Sequence, residues 1–213
     1  MNPYLENAFG IIKAFPDAIK AGQVLWDKLK PTPKAIVDHP TDGILGNTFY
    51  SDDYKFAISI PSDDWWFWRP SIAFLLTMGP AFNRPTSGTP IVIFSKQVIN
   101  LFRSHIMITV EEVGQYTNIR EMIDLSCLLI RGSGITIEEA DIILDESNQS
   151  AMFGFTQPMP FDNVLCTVMH CHLVNGSFYT LTAMYAVTSN KNKKPSGPLQ
   201  EILNSFKLIK EED

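Results

Sequence analysis

The chain has 213 residues, 45% of them hydrophobic and 19% charged, with a net charge of −6 and a pI near 5.2. That balance suits a globular protein with one substantial core plus an appendage. It argues against nucleic acid as a partner: a phosphate-binding groove needs clustered Lys and Arg, and the only dense basic run, Lys191, Lys193 and Lys194, reads as a solvated loop beside Pro195 and Gly197.

The three cysteines, Cys127, Cys166 and Cys171, are an odd number without a scaffold-like spacing, so reduced, buried thiols are expected. The most apolar run, Ile72 to Met78, is far short of the ~20 residues of a spanning helix. The N-terminus carries no signal-peptide pattern, with Glu6 ahead of the first basic residue, Lys13. These features set the expectation of a cytoplasmic protein, unless a mis-chosen start codon hides an exported form.

In chain order, residues 5–29 read as helical, with Leu5, Ala8, Phe9 and Ile12 at helical spacing. Pro16 predicts a kink or two short helices there. Residues 31–46, with three prolines and two glycines, read as a linker. From Tyr54 to Ile60 the even positions Tyr54, Phe56, Ile58 and Ile60 make one apolar strand face. Pro61 ends that strand, and Ser62, Asp63 and Asp64 make a turn. Trp65, Trp66, Phe67 and Trp68 follow as a strand-like run holding three of the four tryptophans.

Residues 69–90 have no clear assignment beyond a short helix or strand flanked by loops. Ile91 to Phe94 reads as a short buried strand, 97–103 as a connection or a helical turn, and residues 106–111 as a half-buried strand. The main helix is predicted next. Asn118 caps it, Glu121 stands three residues on, and Gly132 and Gly134 stop it, with Arg131 in the last turn. Ile135 to Leu144 reads as a strand whose inward parity shifts at Glu138 and Glu139, which suggests a bulge. Strands at 151–156, 164–174 and 178–187 follow, the last two joined by Asn175-Gly176. A closing helix is capped by Ser196 and shows Leu199, Ile202, Leu203 and Phe206 as one stripe.

The fold class is therefore α+β: an antiparallel sheet covered on one face by helices, an α/β sandwich over residues 47–213, preceded by an N-terminal helical arm and linker over 1–46. Three stretches carry a resemblance to the PsbP-like and Mog1-like α/β sandwich superfamily: FYSDDYKFAISIPSDDW, NGSFYTLTAMYAV and the closing helix running into LNSFKLI. It spans roughly residues 48–209. It implies an accessory or binding protein and supplies no shared catalytic signature. Fold analogy is a weak warrant for function.

No enzyme chemistry is expected. Cys171 points to the opposite strand face from its flanking histidines, G-x-S-x-G is absent, and no glycine-rich turn opens a helix. The carboxylate pairs are either turn residues or point to opposite strand faces. No cofactor is expected.

Two candidate surfaces remain. Trp66 and Trp68 face away from Trp65 and Phe67, and with Arg69 they are candidate anchors for a protein partner, unless Ile72, Phe74, Leu75 and Phe82 fold over them. His170 and His172 share a strand face and could present two imidazoles to a metal, completed by His105 or Asp162 only if folding brings these near. The primary expectation is a non-enzymatic accessory protein with a protein partner of unknown identity. The alternative is a metal-binding protein. Membrane association through the N-terminal helix ranks last, because Lys13, Lys20, Lys28 and Lys30 are set against Glu6, Asp17 and Asp27.

Overall fold

The Asn175-Gly176 turn fixes the centre of the molecule. Both residues hold positive φ, 51° and 77°. That is the twist a two-residue hairpin needs, and Asn and Gly adopt it at least cost. It joins β9 (Asn163–Val174) to β10 (Ser177–Thr188) in a hairpin that pairs from Val174↔Ser177 to Asn163↔Thr188. The computed structural model describes residues 42–69, 87–99, 102–113, 117–132, 134–159, 162–188 and 194–209. The expected N-terminal helices and most of the unassigned 69–90 segment lie outside the described residues.

Around the hairpin grows a seven-stranded antiparallel sheet of order β4-β5-β6-β10-β9-β8-β7. Its other strands are β4 (Trp65–Trp68), β5 (Ser87–Ile99), β6 (Phe102–Glu112), β7 (Ile143–Asp145) and β8 (Ser150–Met159). A four-stranded antiparallel sheet of order β1-β2-β3-β11 comprises β1 (Asp42–Leu45), β2 (Thr48–Ser51), β3 (Phe56–Ser59) and β11 (Lys207–Leu208). Two α-helices are described, α1 (Ile119–Gly132) and α2 (Pro198–Ser205). The α+β class with antiparallel pairing is thus the observed one.

The layering differs from two helices over one face. On one side of the large sheet, Phe67, Ile93, Ile108, Leu181 and Cys166 meet Phe49, Phe56 and Ile58 of the small sheet and Leu199, Ile202 and Leu203 of α2. On the other side, Ile119, Met122, Ile123, Cys127 and Ile130 of α1 cover Ala151, Phe153, Cys171, Leu173 and Phe178. The helices therefore lie on opposite faces. A strand covered on both faces is apolar at successive positions, and residues 178–186 of central β10 are all buried.

Other differences have local causes. Ser62, Asp63 and Asp64 do make a turn, with Trp65 N–H donating to Ser62 O at 3.1 Å, but it carries the chain from β3 in the small sheet to β4 in the large one. Residues 42–45, read as the end of a linker, form β1. Residues 97–103, read as a connection, mostly extend β5 and β6, with an irregularity between Phe94 and Val98. The predicted bulge at Glu138 and Glu139 is instead a 3-10 turn over Glu139–Asp141. Ser196 does not cap α2: Gly197, at φ 56° and ψ −138°, holds the N-cap position and Pro198 takes the first turn.

The cap of α1 forms as expected. Glu121 N–H donates to Asn118 Oδ1, and Asn118 Nδ2 donates to Glu121 Oε1, both at 2.9 Å. Gln149 Oε1 accepts from Ile119 N–H at 3.2 Å, so a second orphan donor of the helix is met from the turn between β7 and β8. Asn118→Ala should cost about 1 kcal/mol, read as a lower urea midpoint at unchanged slope. A change below the error of the fit would mean that Gln149 suffices alone.

The β8 edge is only partly covered. β7 pairs with residues 150–152 alone. Leu173 N–H donates to the opposite carbonyl, Gln149 O, at 2.9 Å, so odd residues of β8 hydrogen-bond to β9 and even ones point their backbone groups outward. Among the described residues, nothing pairs with the outward backbone of Gly154, Thr156 and Pro158.

Candidate functional site

Two places gather chemistry-bearing side chains, one on each face of the large sheet. The first is an aromatic ladder across β4, β5 and β6. Register sets Trp66 opposite Phe94, and Phe94 opposite His105. Trp66 and Phe94 stack at 5.2 Å and 28° between planes, and Trp68 tilts against Phe94 at 5.8 Å. His105 lies between Phe94 at 5.5 Å and Phe102 at 5.7 Å. Its Nδ1 is 3.0 Å from Arg103 O, the pairing of a neutral ring donating to a carbonyl. Burial lowers its pKa, partly offset by that bond.

Trp66 and Trp68 do face away from Trp65 and Phe67, but Trp66 is only 8% exposed. The sequence argument placed one face of the run in the core; here both faces of the sheet are packed. Trp68 and Arg69, at the end of this strand, are half-buried. The part of the trio that meets solvent is thus Trp68 and Arg69.

The second place is the face of β9 towards the small sheet. His170 and His172 lie on it together, as the two-residue period requires. Met152 stands opposite His170 and Ser150 opposite His172. Both are even residues of β8, so these are the close, non-hydrogen-bonded pairs of the ladder. His172 stacks on Phe206 at 5.5 Å and 26°. Burial lowers the pKa of both histidines, and His172 lowers that of His170 further. Both rings are therefore neutral at pH 7. His170 Nε2 is buried with no hydrogen-bond partner among the described residues.

Neither expected completing residue joins them. His105 sits on β6 opposite Met184, in the ladder on the other face, and Asp162 precedes β9 at its far end. Among the described residues, no three of His, Cys, Asp and Glu gather as a metal set. Sequence reasoning missed Met152 and Phe206 here. The signal was available only once register was known, because strand pairing decides which residue of β8 faces His170.

The three cysteines are buried and none is in a disulfide. Cys171 and Cys127 belong to the core under α1, while Cys166 belongs to the opposite one. Burial pushes Cys171 up to about 12, against a smaller opposing effect of a hydrogen bond with Thr180. Such a thiol is protonated and a poor nucleophile at neutral pH.

No family model matches the chain, and no curated protein matches it. Solved structures with similar backbones include a protein of Bacteroides thetaiotaomicron VPI-5482, at 12% identity and TM-score 0.46, covering 79% of this chain and 50% of that one. This chain thus spans about half the length of that structure. Another is LpqN of Mycobacterium tuberculosis, involved in cell envelope biogenesis, at 10% identity and TM-score 0.41, covering 75% of this chain and 87% of that one. Among the described residues, no helix is long and apolar enough to cross a membrane.

Proposed function

We propose that the chain is a non-enzymatic binding or accessory protein whose partner is another protein. The observation that carries this reading is the end of β4. Trp68, half-buried on the Phe94 ring, and Arg69 beside it sit at an edge strand of the large sheet, backed by the buried Trp66. Tryptophan and arginine supply much of the energy at protein interfaces, because each combines large contact area with directed hydrogen bonding. A rigid aromatic stack beneath them lowers the ordering cost of binding. The finer architecture, a PsbP-like or Mog1-like sandwich with an N-terminal arm, and a cytoplasmic setting belong to the same proposal; buried cysteines outside any disulfide agree with a reducing compartment.

The test is affinity capture from the native source with a Trp68→Ser/Arg69→Glu variant as control. Trp66 is left intact, since its burial makes it a folding residue. A stoichiometric partner retained by wild type and lost by a variant with unchanged circular dichroism supports the reading. Equal retention by both forms removes this surface from it.

A further inference from the structure

We propose that Met152, His170 and His172 form a binding site for a soft monovalent cation, copper(I). The argument begins with register. Met152 opposes His170 in a close pair of the β8–β9 ladder, and His172 follows two residues along on the same face. One thioether and two imidazoles therefore converge on one patch, with the Ser150 hydroxyl opposite His172. An imidazole nitrogen buried without a partner, as His170 Nε2 is, carries a lone pair or proton that water no longer satisfies. A metal ion accepts that lone pair.

The donor set chooses the metal. Calcium and magnesium want six or more oxygens, and no carboxylate belongs to this trio. A structural zinc site wants four ligands from Cys, His and carboxylate, and among the described residues not even three gather. A thioether is a soft donor, and soft donors select copper(I). The Phe206 ring stacked on His172 fixes one ligand and shields one side of the patch from water. The inference is independent of the partner surface, which lies on the opposite face of the sheet. Binding involves no electron transfer: copper enters and leaves as copper(I).

The experiment titrates the full chain with copper(I) under anaerobic reducing conditions against bicinchoninate, a chromogenic copper(I) chelator. One equivalent should be withdrawn from the chelator by wild type. Met152→Leu, which keeps volume and shape, should weaken uptake at least tenfold, and His170→Gln/His172→Gln should abolish it. X-ray absorption of the wild-type complex should show one sulfur neighbour beside nitrogen, and lose it in Met152→Leu. No uptake by wild type would overturn the proposal. So would uptake unchanged in Met152→Leu, which would assign the metal to thiols, or tighter binding of zinc than of copper(I) at these residues.

Discussion

Replacing Phe56 by alanine is expected to lower stability by about 3–5 kcal/mol, the range for deleting a fully buried aromatic ring. The ring has no exposed surface. It lies 5.9 Å from Phe49 within the small sheet and 5.5 Å from Phe206, the residue that follows α2. Phe206 in turn stacks on His172 of the large sheet. The cavity would therefore open where small sheet, closing helix and large sheet meet. Ser205 holds the same seam: its hydroxyl donates to Ser59 O at 3.0 Å and accepts from Ser59 N–H at 2.8 Å. Urea unfolding followed by tryptophan fluorescence and by circular dichroism gives the check. Both signals should shift to a lower midpoint together. If only circular dichroism moved, the small sheet would be unfolding by itself and the two sheets would not share one cooperative core.

The second large effect is on pH. His105 is held neutral by its position between Phe94 and Phe102, so its pKa in the folded chain lies below the unfolded value near 6.5. As pH falls through 6.5, the unfolded chain takes up a proton that the folded chain refuses. The unfolded state then binds more protons, so stability falls on acidification until the lowered pKa is reached. His170 and His172 shift the same way and for the same first cause, burial. Wild-type stability should thus drop steadily from pH 7 towards pH 5. His105→Phe, which keeps an aromatic ring in the ladder, should show a shallower decline over that window. Identical slopes for the two proteins would mean that His105 is solvated and titrates normally.

How much of this was legible beforehand depends on the range of the forces involved. The Asn175-Gly176 hairpin, the Asn118 cap and the apolar stripe of the closing helix are local, set within a few residues, and the structure has all three. Of the expected face Tyr54, Phe56, Ile58 and Ile60, the last three are buried, while Tyr54 is half-buried in the turn that precedes β3. What failed was long-range. The WWFW run from Trp65 to Trp68 says that aromatic side chains are present but not that β4 joins a different sheet from β3. Consequently it could not say that Trp66 would be buried on the second face. Parity put His170 and His172 side by side, yet only strand pairing could add Met152 and Phe206 or place His105 elsewhere. The extension of β5 to Ile99 and the start of β6 at Phe102 were hidden because Lys96, Gln97 and Arg103 look like loop composition, whereas the Arg103 side chain bonds to the carbonyls of Ser95 and Lys96 at 2.8 and 3.2 Å.

Pro158 occupies one of the outward backbone positions of β8, beyond the reach of the short β7. A row of outward amides is a template on which a further strand can crystallise, and sheets left so exposed seed fibrous self-association. Proline removes one donor from that row at no internal cost, since its nitrogen is not asked to bond to β9. The expected consequence is colloidal rather than structural: Pro158→Ala should leave the fold as it is and raise light scattering in concentrated solution.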